Sequence, residues 1–310
     1  MAGLRVCRME RGAYAMTDSE QRTIVVTGAT GLQGRAVTRH LLQEGWHVRG
    51  VTRNASSKQA QALAATGADM VQGDMEDAAS LRPIFAGAYG VYSVQNPFLG
   101  GPEAEVRQGQ NVASVAKESG IQHLVYASAG TGVKGSGIPS WETKLRVEEH
   151  MKALDLPLTI LRPMAFMELM TDQKFFPALS TWHVMPMLMG ASRKVAWLCT
   201  DDLGVIAAKV FAAPHQFVGK ELALASDVQS LDQCRSIYRE VMGKNPPRFP
   251  LPAWLFKRFG FVGKDLATMW QWLRTAAIDL DTAPARTIHP DAFTVRAWLG
   301  QQKAARSTPA

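Results

Sequence analysis

The chain has 310 residues, 46% apolar and 20% charged, which allows a sizeable buried core and excludes a disordered or fibrous polymer. Its formal charge is +7, but much of the basic excess lies near the termini, in "GLRVCRMERG" and "QQKAARSTPA". Elsewhere Lys and Arg alternate with Asp and Glu, with no arginine–aromatic stripe of the kind nucleic-acid binders use. Three scattered cysteines (Cys7, Cys199, Cys234) make neither a disulfide framework nor a metal site and fit a reducing, cytoplasmic setting.

Residues 1–22 hold no apolar core like that of a signal peptide and are expected to be disordered, with Met16 a sensible start in its own right. From Thr23 onward, short apolar runs alternate with helix-length amphipathic segments. The runs are "TIVVT", "HVRGVT", "DMVQG", "GVYSV", "HLVYAS" and "LTILRP", ending at Pro163. Several intervening segments close on Gly, as helix ends prefer. This rhythm predicts an α/β fold, a Rossmann-type doubly wound parallel sheet over residues 23–163. Past Pro163 a Met- and aromatic-rich stretch leads into "KVAWLC", "TDDLGVIAAKVFAAP", "ELALAS" and "LDQCRSIYREVMG". Residues 164–300 are expected to form a smaller, mostly helical C-terminal substrate region interleaved with the sheet and closing a cleft. Residues 301–310 are expected to be a disordered tail. No uninterrupted apolar stretch is long enough to span a bilayer.

"VVTGATGLQGRAV" carries the first chemical signal. Gly28 allows a tight turn, Gly31 a close approach to a pyrophosphate, and Gly34 close helix–strand packing. Thr30, Leu32 and Gln33 complete this dinucleotide-binding loop, and the helix that follows offers free N–H groups to phosphates. An NAD site wants an acid roughly 20 positions further on. Here the segment reads "GVTRNASSK", with Arg53, Asn54 and Lys58 and no acid. A guanidinium suits a 2′-phosphate, so NADP(H) is favoured over NAD(H), although exposed loop arginines are common. In "QGDMEDAASL", Asp74 and Met75 are candidates for the adenine, while Asp77 reads as a helix N-cap. Val94, Gln95 and Asn96 in "SVQNPFLGG" are placed near the nicotinamide, though a Pro-Gly turn would look the same. The histidines pair at no metal-ligand spacing, so no metal is expected.

Together "VTGATGLQGRAV", "TRN", "GDMED", "WETKLRVEEHMKALDLPLTILRPMAFMEL" and "IHPDAFTVRAWL" resemble the NmrA-like proteins, a branch of the atypical short-chain dehydrogenase/reductases. The resemblance runs from about Thr23 to Leu299. It implies an NADP(H)-binding Rossmann domain with a small helical domain closing over the nicotinamide. It also implies two kinds of member, reductases of quinones, dyes or other soft acceptors and nucleotide-responsive regulators without strong catalysis. The wider superfamily carries Ser and Tyr-x-x-x-Lys. Here Lys144 of "SWETK" matches the lysine and Ser128 of "YASAG" the serine, but Ser140 stands where the tyrosine would be. A Ser hydroxyl cannot supply a proton as a lysine-perturbed phenol can.

Lys144, Ser128 and Ser140 are therefore the catalytic candidates, Lys144 anchoring the nicotinamide ribose and the serines acting as polar handles. The alternative for Lys144 is a solvated helix residue paired with Glu148. Pro163, Met164 and Phe166 fall at the cleft that the resemblance implies. The segment Phe175–Met189 reads as an adaptable apolar pocket wall or as ordinary core. Two functions stand side by side: hydride transfer from NADPH to a small apolar, electron-poor acceptor, and an NADP(H)-responsive sensor acting through a protein partner. A homodimer fits either, and a nucleic-acid role is disfavoured.

Overall fold

The computed structural model describes residues 22–171, 180–247 and 252–307. In chain order the first half reads β1 (Thr23–Val26), α1 (Leu32–Gln43), β2 (His47–Thr52), α2 (Lys58–Ala64), β3 (Asp69–Gln72), α3 (Ala78–Phe85), β4 (Gly90–Ser93), α4 (Pro97–Gly100), α5 (Pro102–Glu118), β5 (His123–Ala127), α6 (Pro139–Ala153) and β6 (Leu158–Pro163). The second half reads β7 (Ala165–Phe166), α7 (Met185–Met189), β8 (Lys194–Leu198), α8 (Thr200–Ala212), α9 (Pro214–Phe217), β9 (Glu221–Leu224), β10 (Asp227–Ser230), α10 (Leu231–Met242), α11 (Ala253–Phe256), α12 (Gly260–Leu273), α13 (Ala283–Ile288) and α14 (Val295–Ser307).

The main sheet has the order β3-β2-β1-β4-β5-β6-β9, and every neighbouring pair is parallel. Parallel strands covered on both faces are apolar throughout, which is why β4, β5 and β6 are buried at every residue while β3, at the edge, is not. Alternate residues serve opposite layers. Val25, Val91, Leu124 and Ile160 pack with Leu81, Phe85, Val112 and Val147 beneath α3, α5 and α6. Ile24, Val26, Tyr92, Val125 and Leu161 pack with Val37, Leu41, Leu203 and Phe211 beneath α1 and α8.

A second sheet, of order β10-β8-β7, joins an antiparallel to a parallel pair. With α7, α10, α12 and α14 it encloses its own core of Met167, Trp182, Met185, Trp197, Tyr238, Trp270 and Trp298. Its middle strand, β8, is the strand-like "KVAWLC" of the sequence, whereas β7 has two residues and β10 ("DVQS") shows no apolar alternation, so neither is legible as a strand. Helix α10 starts on a capping box between Ser230 and Gln233 and stops at Gly243, in the left-handed conformation that ends many helices.

One terminal expectation is corrected. Residues 301–307, expected within a disordered tail, continue α14, whose buried Val295, Trp298 and Leu299 fix its first turns to the core. Residues 1–21 and 308–310, and residues 172–179 of the Met-rich segment, lie outside the described residues.

Candidate active site

The strand order reverses between β1 and β4, the place where open parallel sheets leave a crevice at their carboxyl ends. Thr27 braces it: its hydroxyl accepts from the Val94 N–H at 2.8 Å. Between β1 and α1, Gly28 adopts φ 57°, a left-handed turn that a side chain would strain. A Cβ on Gly34 would lie 2.3 Å from the Gly28 carbonyl oxygen, so only glycine lets α1 start this close to the strand. Gly31 caps α1 with no side-chain bond, and the first turn holds no acid, leaving its N–H groups to whatever faces the helix end.

A cavity of about 680 Å³ opens there and follows the ends of the strands. Gly28, Thr30, Gly31, Leu32, Gln33 and Gly34 line one end, with Arg53 and Asn54 after β2 and Asp74 and Met75 after β3. Val94, Gln95 and Asn96 after β4, Ser128 after β5 and Pro163, Met164 and Phe166 after β6 line its middle. Lys58 is not brought there: it is exposed at the first turn of α2 and lines no part of the cavity. Arg53 has no ion-pair partner among the described residues. Asn96 caps α4 by accepting from the Phe98 N–H at 2.9 Å, and Asp77 caps α3 as the sequence suggested. Gln95 donates to Ser93, and its buried Oε1 has no partner among the described residues.

Lys144 is buried, not solvated, and its partner is not Glu148. Its ammonium donates to Glu105 Oε1 at 2.8 Å and to the Gln95 carbonyl at 3.3 Å, and it lies 5.8 Å from the centre of the Tyr126 ring. Thr143 donates to the second oxygen of Glu105 at 2.5 Å. Glu148, one turn further along α6, belongs to a separate network. It receives Arg162 Nη2 at 2.7 Å and the Ser128 hydroxyl at 2.5 Å. Arg162 also donates to Ser128 at 3.1 Å and to Glu221 of β9 at 2.6 Å. Burial opposes the Arg162 charge, but Glu148 and Glu221 outweigh it and raise its pKa. The phenol of buried Tyr126 is pushed well up by burial and then by Glu105 and Glu148, and it does not line the cavity.

Ser140 lines the cavity, but its donors are engaged. Its N–H and hydroxyl bind the two oxygens of Asp265 at 2.8 and 2.7 Å, tying the start of α6 to α12. Burial raises the Asp265 pKa, partly offset by these two bonds. The far end of the cavity is apolar: Phe98, Leu99, Trp141, Leu169, Met185, Met189, Leu266, Met269 and Trp270 form its wall. Glu105 and Asp265 were missed from sequence, although an acid inside the apolar run "GFVGKDLATMW" signals a buried partner. The α12 wall gave no such signal, since helix residues facing a chamber and a core look alike. Among the described residues no group of three or more His, Cys, Asp or Glu could hold a metal, and no helix is long and apolar enough to cross a membrane.

The sequence is 31% identical over 242 residues to the NmrA-like family domain-containing oxidoreductase himF of Aspergillus japonicus, covering 71% of this chain and 73% of that protein. Among solved structures, the fold is similar to that of Citrobacter sp. triphenylmethane reductase complexed with NADP(H). That likeness has a TM-score of 0.75 at 22% identity over 90% of this chain and 99% of that one. It is also similar to NmrA, a negative transcriptional regulator, in complex with NADP, with a TM-score of 0.74 at 19% identity over 93% and 99% of the two chains. These two likenesses concern the fold. The model of the NmrA-like family matches residues 20–293, so the Rossmann sheet, the second sheet and the cleft between them are all covered, and the chain belongs to the NmrA-like family.

Proposed function

We propose that the protein binds NADPH across the switch point and reduces flat, apolar, electron-poor acceptors such as quinones, enones or dye-like compounds. One observation carries this reading: a single cavity joins the glycine loop to an apolar chamber, with the buried Lys144–Glu105 pair at the junction. The residues fit the cofactor. The turn at Gly28 and the close helix–strand packing at Gly34 set the start of α1 at the cavity, where its free N–H groups would hold a pyrophosphate. Arg53 would take the 2′-phosphate, and the partnerless Gln95 Oε1 would accept from the carboxamide.

NADPH, when bound, supplies the hydride. Glu105 and the Gln95 carbonyl each take one Lys144 donor, leaving a third for the ribose hydroxyls. Asp265 occupies the Ser140 hydroxyl, so no acid from this chain stands at the tyrosine position. That favours acceptors whose reduced form needs no strong proton donor or takes its proton from water. The apolar wall orients the acceptor and keeps bulk water from the reacting face.

The occupied Ser140 also supports a second reading, a nucleotide-responsive regulator that turns nothing over. NADPH consumption with a panel of quinones, enones and triphenylmethane dyes separates the two. Turnover is expected, falling at least about tenfold in Lys144→Met, the size of a lost charged hydrogen bond (~1.4 kcal/mol). Tight NADPH binding without turnover on the whole panel would transfer the assignment to the regulator.

A further inference from the structure

The outer end of the chamber carries charge that hydride transfer does not require. α12 ends where β8 begins, and there Arg193, Lys194 and Arg274 surround an open vestibule. It shares Met189, Lys194 and Ile278 with the chamber. Among the described residues no carboxylate lines it. Arg193 is engaged structurally. Its Nε donates to the Leu273 carbonyl at 3.1 Å and its Nη2 to the Ala276 carbonyl, closing the end of α12 where carbonyls collect negative potential.

Lys194 and Arg274 close no helix end. The Lys194 ammonium donates at 2.6 Å to Gln233 Oε1, a neutral amide, and Arg274 has no ion-pair partner among the described residues. Arg107, Arg146 and Arg296, by contrast, each face a carboxylate. The acids near the vestibule are directed elsewhere: Asp232 pairs with Arg235 at 3.5 Å, and Asp279 accepts from the Asp281 N–H at 2.9 Å. Lys194 is also the one ionisable group lining the apolar end of the chamber among the described residues, the others being Arg53, Asp74 and Lys144 on the cofactor side.

Resting on the reductase reading, we propose that the acceptor carries an acid group. Its ring system fills the Met–Trp chamber, and its carboxylate or sulfonate sits between Lys194 and Arg274 at the mouth. Two uncompensated cations beside a low-dielectric wall raise the local concentration of an anion and disfavour a cation of the same shape.

Two fluorescent probes with one skeleton test this without any turnover: anilinonaphthalene sulfonate and its uncharged parent, phenylnaphthylamine. The sulfonate is expected to bind roughly tenfold more tightly (~1.4 kcal/mol). The double variant K194Q/R274Q, which leaves Arg193 and the end of α12 untouched, should remove the gap, whereas R53A should preserve it. Equal affinities in the wild type would overturn the proposal. So would a gap that survives K194Q/R274Q, or one that R53A abolishes, which would place the sulfonate at the cofactor end. NADPH titrated separately by its own fluorescence keeps the two readings apart: failure to bind NADPH sinks the reductase, while the probe gap still decides the vestibule.

Discussion

From Gly28 to Asn96 the cavity wall is built on turns at strand ends and the start of α1, a backbone frame that Gly28 and Gly34 let pack closely. From Met185 to Leu273 the wall is made of side chains, Met, Leu and Trp, brought from segments far apart in the chain. The first kind of wall fixes one ligand shape, because a peptide group cannot be exchanged by mutation and moves little. The second kind tolerates change, since thioethers and indoles repack around different partners. A family whose sheet end is built from backbone and whose other end is built from side chains can keep one nucleotide while its acceptors diverge.

The two walls should therefore respond differently to substitution. The most damaging change lies below the backbone wall, at Arg162, 6% exposed and holding Glu148, Glu221 and Ser128 together. Arg162→Met leaves Glu148 buried without its cation and should cost about 3–5 kcal/mol in a denaturant titration. A loss under about 1 kcal/mol would mean water reaches the network and the floor is not rigid.

Gly34→Val comes next. Its Cβ would meet the Gly28 carbonyl, a backbone atom with no freedom to retreat. NADPH affinity by calorimetry should fall at least about 100-fold, roughly 2.7 kcal/mol. An unchanged affinity would make the glycine loop only a turn.

The smallest effect belongs to the side-chain wall. Trp270→Ala widens the chamber and should raise the KM for a quinone or dye about tenfold, ~1.4 kcal/mol, with NADPH affinity unchanged. If NADPH affinity falls as well, the two ends are coupled and the walls do not act independently.

How legible this was in the sequence follows the same division. β1 to β6 and the glycine loop could be read because each is local: an apolar run, then three glycines at a strand–helix junction. Lys144 could not be placed by its surroundings, because "KLRVEEHMK" looks like a solvated helix face. What buries it is Glu105, 39 positions earlier on α5, which in "EAEVRQGQ" looks equally like a surface charge. Arg162 inside "LTILRP" was the better clue, since a cation in a strand buried on both faces must have partners. Of the second sheet only β8 could be read, as the strand-like "KVAWLC"; β7 and β10 are too short or too polar for a period of two to show.

After β6 the chain leaves the main sheet to build β7 and β8, comes back through α8 to lay β9 beside β6, and departs again into β10 beside β8. The two sheets are thus sewn together by successive stitches instead of joined by a single strap. A lid swings on a few residues that absorb the rotation, and a part stitched in this way has no free axle. Any rotation between the two sheets must therefore bend the crossings after β6, β8 and β9 together. For the same reason a cut after Pro163 would strip β9 from β6 and leave an open sheet edge, so neither half is a detachable module.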